Sequence, residues 1–185
     1  PVLDLLSEIN GRTHLVVELG LQTVHDETAR RIGRGHDYAA FLRGYESLNS
    51  RGIRVCVHII NGLPGENREM MLETARELAR LHAFSVKIHL LHIMRGTRLA
   101  DWYAAGEFSE MSLEDYASTV VSQLELLPPD TVIGRVTGDG AADGLVAPLW
   151  SRKKFVVMNE IDKELVRRGS MQGSRYAVNG LPHSV

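Results

Sequence analysis

A parallel α/β architecture is what this sequence predicts, and three observations predict it. Segments of helical and strand period alternate along the chain, in the order helix, strand, helices, strand, helix, strand, helix, strand, helix. The run Val55-Cys56-Val57-His58-Ile59-Ile60 stops at the turn Asn61-Gly62-Leu63-Pro64-Gly65-Glu66 and passes straight into a helical pattern. Each strand also has one wholly apolar face. Helical crossovers make the strands parallel, in a barrel or in a doubly wound sheet. In both, ligands bind at the carboxyl ends of the strands. No G-x-G-x-x-G and no G-x-x-x-x-G-K-[ST] follows any strand, so the dinucleotide and P-loop readings lose their main support.

The elements follow in order. Val2, Leu5, Leu6 and Ile9 fall at helical spacing, and Asn10-Gly11 is expected to end that helix. Residues 14–22 read as a strand. Asp26 is placed to cap a short helix through Ala29 and Ile32, with Gly33 as its stop. Phe41, Tyr45 and Leu48 mark one face of the next helix, which closes near Gly52, and residues 53–60 form the second strand. Met71, Ala75, Leu78 and Ala79 define a helix over 67–82, and residues 86–93 the third strand. Ser112 caps a helix carrying Leu113, Tyr116, Ala117, Val120, Leu124 and Leu127, with Asp115 as the capping-box acid and Pro128-Pro129 as the stop. Residues 131–137 are the fourth strand, followed by a turn at Gly138-Asp139-Gly140. The last helix spans 152–168 with Met158, Ile161 and Leu165 inward. Residues 1–169 are expected to form one packed unit and 170–185 a mobile tail.

Strand parity identifies the second face. Glu18, Gly20 and Gln22 share it on the first strand, Arg54, Cys56, His58 and Ile60 on the second, and Lys87, His89, Leu91 and Ile93 on the third. A filled barrel interior favours bulky branched residues, whereas this face carries charge. Two readings stand: a polar lumen open to ligand or water, and a set of ion pairs such as Glu18 with Lys87.

Bulk properties narrow the class. The chain has 185 residues, 44% hydrophobic and 24% charged, with formal net charge −2, which gives no electrostatic reason to expect nucleic acid or membrane as a general partner. No apolar stretch is long enough to span a bilayer, and the start lacks a signal-peptide pattern, so a cytoplasmic location and no membrane partner are expected. One cysteine excludes an intrachain disulfide and an all-cysteine metal site within these residues. A chain opening on Pro1-Val2-Leu3 with helical spacing under way is expected to be cut from something longer.

Four motifs carry a resemblance. They are Glu18-Leu19-Gly20-Leu21-Gln22-Thr23 with Arg31-Ile32-Gly33-Arg34-Gly35-His36, then His58 to Glu66, then Leu91-His92-Ile93-Met94-Arg95-Gly96-Thr97, and last Arg135-Val136-Thr137-Gly138-Asp139-Gly140 with Ala147-Pro148-Leu149-Trp150. In this order the chain resembles the second half of a radical S-adenosylmethionine (SAM) barrel, over residues 1–172. The likeness is to the branch holding the Elongator catalytic subunit and the oxygen-independent coproporphyrinogen oxidases, and to the YhcC-like Fe–S oxidoreductases. The resemblance implies a partial parallel α/β barrel made of the carboxy-terminal βα units. It implies SAM as cofactor and a [4Fe–4S] cluster held by three cysteines. It also implies reductive cleavage of SAM to a 5′-deoxyadenosyl radical that takes a substrate hydrogen.

By the same resemblance Gln22 and His58 match positions that hydrogen-bond the ribose or amino-acid part of SAM. Arg34, on the helix after the first strand, matches a SAM-contacting arginine. Ile60 matches the apolar residue under the adenine, Gly62 lies in the turn beside it, and Leu91 and Ile93 match the strand whose backbone reads the adenine edge. Read without the resemblance, Gln22 and His58 are interior polar groups, Arg34 a helix C-terminal charge and Ile60 core. The three cluster cysteines are absent and Cys56 lies mid-strand as a small apolar thiol, so no catalytic residue and no metal ligand is assigned, and the chain alone is expected to be inactive. The cluster belongs to a parent protein.

Other candidates are weaker. His89 and His92 sit three apart on a strand, on opposite faces, and cannot simply share a metal. His25, His36 and His183 read as surface residues, and Glu66 as a helix-start acid. Gly138-Asp139-Gly140 reads equally as a substrate contact and as a turn. The expected partners are the absent amino-terminal barrel half, a substrate that is an RNA nucleotide or a small metabolite, and a second copy docked on the open edge strand or lumen face. The rival class is a non-catalytic binding module that keeps a SAM-like pocket.

Overall fold

The computed structural model describes residues 1–138 and 143–177. Its elements run α1 (Val2–Arg12), β1 (Val16–Gln22), α2 (Asp26–Arg31), α3 (Tyr38–Asn49), β2 (Arg54–Asn61), α4 (Arg68–Arg80), β3 (Ser85–Leu90), β4 (Ile93–Met94), α5 (Arg98–Ala104), α6 (Leu113–Leu126), β5 (Val132–Arg135), β6 (Leu145–Ala147), a 3-10 turn (Leu149–Arg152) and α7 (Lys154–Arg168). Side-chain caps start four helices: Asp37, Asn67, Thr97 and Ser112 accept from the N–H of Ala40, Met70, Ala100 and Asp115. Gly169, at φ 58, ends α7 in the left-handed region.

Strands β1, β2, β3 and β5 form one sheet in the order β1-β2-β3-β5, all parallel where paired. A separate antiparallel pair joins β4 to β6. One core cluster takes Leu21, Val55, Val57, Ile59, Val86, Ile88 and Leu90 from the sheet and Phe41, Tyr45, Tyr116, Val120, Val157 and Ile161 from the helices. The helices therefore bury one face of the sheet, as in a barrel wall. A doubly wound sheet would carry helices on both faces. Apart from buried Cys56, the polar set on the second face is half-buried or exposed.

Several expectations change. Helix α1 runs through Asn10-Gly11 to Arg12. His25, not Asp26, is the N-cap of α2, and Asp26 Oδ1 accepts instead from the Tyr38 N–H at 2.7 Å. The third strand ends at Leu90, whose pairing with Asn61 is the last of the β2–β3 ladder and is closed by the Leu91 N–H donating to Asn61 O at 2.9 Å. Ile93 consequently leaves the sheet for the β4–β6 pair. Val157 and Ile161 are the buried residues of α7, while Met158 is exposed. Residues 170–177 fold back on the end of α6: the N–H groups of Gly173 and Arg175 donate to Leu124 O and Glu125 O, and Gln172 Nε2 donates to Pro128 O and Thr131 O. The packed chain thus passes the expected boundary at 169. Asp139 and Gly140 of the expected turn, and residues 178–185 including His183, lie outside the described residues.

The carboxyl end of β2 is locked by a buried amide pair. Asn61 Nδ2 donates to Gln123 Oε1 at 2.8 Å, and Gln123 Nε2 donates back to Asn61 Oδ1 at 2.9 Å and to Met71 O at 3.1 Å. Both side chains are buried. Gln123→Ala would leave these groups without partners and open a cavity, which costs about 2–4 kcal/mol. Urea denaturation should show a matching drop in the midpoint; an unchanged midpoint would contradict the assigned lock.

Candidate functional site

Parallel pairing brings the carboxyl ends of β1, β2 and β3 to one rim. On β1 the register slips between Gly20 and Gln22, and Gln22 takes φ 66. A left-handed conformation in a non-glycine residue is strained, and such strain clusters at functional sites. The Gln22 amide folds over Gly20, where an added Cβ would lie 2.5 Å from Gln22 Nε2, so a side chain there would displace the amide.

Arg34 lies in the turn beyond α2, not on the helix. Its Nη2 donates to Gly20 O at 2.7 Å and lies 2.8 Å from His36 Nε2. Gln22, Arg34 and His36 share a groove of about 370 Å³ with Gly20, Ala40 and Phe41. Burial holds the Arg34 guanidinium below the usual arginine range, against the pull of Asp26 and Asp37.

His58 sits one strand away on the second face. Its Nδ1 lies 3.2 Å from His89 Nε2, and the two rings stack at 5.0 Å. Its Nε2 lies 2.7 Å from Glu18 Oε2, an ion-pair contact without the alignment of a hydrogen bond. Lys87 Nζ donates to Glu18 Oε1 at 2.5 Å, so the sequence-stated Glu18–Lys87 pair forms, on a face that stays open. That bond, with the charges of Lys87 and His58, holds the Glu18 carboxyl below its ordinary value. Among the described residues, the buried side-chain polar atoms without a hydrogen-bond partner are Arg34 Nη1 and His58 Nε2.

Ile60 and Leu91 line a second cavity, of about 380 Å³, with Ile32, Leu63, Arg98 and Trp102. Gly62 stands next to it at φ 85, where a Cβ would crowd Met111 at 3.3 Å and touch Leu91. Its N–H donates to Met71 Sδ, so Gly62 serves the turn and the close approach of Met111. Ile93 is apart from the rest, fully buried under the β4–β6 pair. The structure thus joins Gln22 with Arg34 in one groove and Ile60 with Leu91 in another, His58 is in neither lining, and Ile93 belongs to the β4–β6 pair.

Glu66 does not start α4, whose cap is Asn67. Its carboxylate accepts from Thr23 Oγ1 at 2.5 Å, tying the β1 exit to the β2 turn, and burial raises its pKa. His92 is turned to Ser151 Oγ at 3.1 Å, far in role from His89. No group of three His, Cys, Asp or Glu able to hold a metal occurs among the described residues, and Cys56 is buried alone. These residues do not fit a three-cysteine cluster. The wall formed by α5 escaped sequence reading, although Arg98 and Trp102 stand four apart, the spacing of one helix face.

Comparison with known proteins gives consistent matches. The family model for the radical SAM superfamily matches residues 2–78, and that for the Radical_SAM C-terminal domain matches residues 84–167. The chain is similar to the uncharacterized protein YtqA of Bacillus subtilis, at 49% identity over 93% of this chain and 53% of that protein. It is 38% identical to protein YhcC of Escherichia coli over 98% of this chain and 59% of that protein. Human Elongator complex protein 3 is 29% identical over 66% of this chain and 23% of its own length. The chain therefore spans little more than half of YtqA and YhcC. Among solved structures, the archaeal Methanocaldococcus infernus Elp3 with an N-terminal deletion superposes with a TM-score of 0.79 at 22% identity, over 90% of this chain and 39% of that one, which establishes a shared fold. No helix among the described residues is long and apolar enough to cross a membrane.

The stacked histidines give the site a pH signature. Burial first, then the charges of His58, Arg135, Lys87 and His92, push His89 down to about 4 from 6.5. Between those values the unfolded chain binds the proton and the folded chain does not, so stability is lost as pH falls through that window. Denaturation of His89→Gln at pH 7 and pH 4.5 should show a smaller loss on acidification than the parent sequence; an equal loss would contradict the depressed pKa.

Proposed function

The chain belongs to the radical SAM superfamily, and on that premise we propose that it is the part of a SAM-dependent [4Fe–4S] oxidoreductase that holds the nucleoside side of SAM. One observation supports this above the others. Arg34 Nη1 is buried without a hydrogen-bond partner, and His58 Nε2 lies 2.7 Å from Glu18 Oε2 without the alignment of a hydrogen bond; both belong to residues matched to SAM contacts from sequence. A buried polar atom left without a partner costs about 1–3 kcal/mol, and a ligand that supplies the partner removes that cost. Ribose hydroxyls and the amino-acid carboxylate of SAM offer such partners. Gln22, held over Gly20, adds an amide on the same side. Ile60 and Leu91 supply an apolar wall for the base. SAM bound to a cluster supplies radical hydrogen abstraction; the cluster ligands would lie in a longer protein, and this chain alone would be inactive.

The lone cysteine also supports a second reading, a binding module that keeps the pocket without the chemistry. The substrate of a complete enzyme is either an RNA nucleotide or a small metabolite, met on the lumen face, in the cytoplasm. Calorimetric titration of the chain with SAM should give saturable binding. Gln22→Ala with His58→Ala should weaken it at least tenfold, since each lost hydrogen bond contributes about 1 kcal/mol. Unchanged affinity in the double variant would overturn the site.

The open edge suggests partners. β1 is an edge strand, with Val16 exposed, and Val2 and Leu5 of α1 project into solvent. Exposed edges and apolar side chains pair readily. In a longer protein the absent amino-terminal barrel half would cover them; in isolation a second copy would. Light scattering at high concentration should give a dimer or larger species, and a stable monomer would contradict it.

A further inference from the structure

The cavity at Ile60 and Leu91 has a wall that no motif announced. It is α5, and its Trp102 faces the cavity from the side of the α5 helix, together with Thr97, Arg98 and Leu99. Resting on the SAM reading above, we infer that Trp102 is the residue against which the bound nucleobase stacks, and that Arg31 and Arg98 hold it there.

The geometry carries this in three steps. The first concerns the indole. The Arg98 guanidinium lies 4.9 Å and the Arg31 guanidinium 5.5 Å from the Trp102 ring centroid. Cations at this distance are attracted by the ring quadrupole. Arg31 comes from α2 and Arg98 from α5, so the ring is held from two elements. The Arg98 Nη2 also donates to Arg31 O at 3.4 Å. Gly65 lies close against one guanidinium: a Cβ there would be 3.1 Å from Arg31 Nη1, whereas one at Gly33 would be in ordinary contact with Arg98 Nη2 at 3.9 Å. Both glycines have positive φ, at 91 and 76. A Cβ at Gly65 would force Arg31 to give way.

The second step concerns what the cavity accepts. Ile32, Ile60, Leu63, Leu91 and Leu99 are aliphatic, and Trp102 is the one aromatic ring. Thr97 is the neutral polar side chain of the lining, and its hydroxyl is already used, donating to Met94 O at 2.7 Å and accepting from the Ala100 N–H at 3.2 Å. The walls therefore offer shape and an aromatic ring, with the Arg98 guanidinium as their charged donor group. A flat purine suits such a cavity better than a branched apolar chain or a sugar, because stacking on an aromatic ring uses its whole face.

The third step is position. Ile60 is the last residue but one of β2 and Leu91 follows β3, so the cavity lies at the carboxyl ends of these strands, beyond His58 on β2. A nucleoside whose ribose meets the His58 nitrogen can reach this cavity with its base. The other tryptophan is placed elsewhere. Trp150 packs on Tyr116 and donates from Nε1 to Met111 O at 3.1 Å.

Two tryptophans in different settings allow a direct test. SAM and S-adenosylhomocysteine are titrated into the chain while tryptophan emission and heat are recorded. Binding should quench emission in the unaltered chain. In Trp102→Ala, shown folded by circular dichroism, affinity should fall about tenfold, as expected for loss of one base–aromatic stack. Trp102→Phe should restore most of that affinity but lose the quench, because Trp150 remains as the only emitter. Arg98→Met should give an intermediate affinity. Equal affinity in Trp102→Ala, with His58→Ala still impaired, would overturn the stacking role and leave the SAM site standing. A quench that persists in Trp102→Phe would overturn it too, even if Trp102→Ala failed to fold. No binding by the unaltered chain would overturn the SAM reading and this inference together.

Discussion

One-sided burial of a parallel sheet is the constraint on which the rest of this chain depends. Side chains in a strand alternate faces, so each strand must divide its residues between helices and lumen. Val55, Val57 and Ile59 go to the helices, with Val86, Ile88 and Leu90 beside them. His58 and Ile60, Lys87 and His89 are left for the other side. A single residue of slip would reverse both sets, sending charge into the core. The apolar face thus fixes the register, and the register fixes which side chains meet across strands. The Glu18–Lys87 contact reaches across β2 from β1 to β3, and the His58–His89 contact joins the neighbouring β2 and β3, so both depend on three strands held in step.

The rim is where the sheet stops obeying that rule, and the site grows from the exceptions. Gln22 turns into a left-handed conformation at the end of β1. Asn61 goes inward to Gln123, while its carbonyl takes the last β2–β3 ladder bond, from the Leu91 N–H. Gly62 allows Met111 to approach. Asn61 is tied down by buried Gln123, and the Gly62 N–H by Met71 Sδ. Arg34 Nη1 is left without a hydrogen-bond partner, and His58 Nε2 is met by the Glu18 carboxylate without hydrogen-bond alignment.

Much of this was legible in the sequence, and the misses have physical causes. Strand parity placed the core residues of β1 to β3, because period two is short and each strand shows several repeats. The long helices α3, α4 and α6 were legible through their buried faces, and α6 through its Ser112 cap. Helix α5 has seven residues, too few for a period to emerge, so Trp102 and Arg98 were passed over. Ile93 was put on the sheet by extending parity past Leu90, where the chain had already turned away toward β6. In α7 the inward position moved from Met158 to Val157, a one-residue rotation that an exposed Phe155 and Val166 made hard to see. The fold back of residues 172–175 onto α6 relies on backbone hydrogen bonds and a glutamine amide, which leave no hydrophobic period. Of the site residues, Gln22, Arg34, His58, Ile60 and Leu91 stand at the rim; the grouping into two cavities was not readable, since it depends on loops between elements.

A crystal structure of this chain soaked with S-adenosylhomocysteine tests the central claim most directly. The account predicts the base in the cavity against Ile60 and Leu91, with ligand oxygens at hydrogen-bond distance from Arg34 Nη1 and His58 Nε2. Ligand density elsewhere, or density at the rim that leaves both nitrogens without partners, would contradict it.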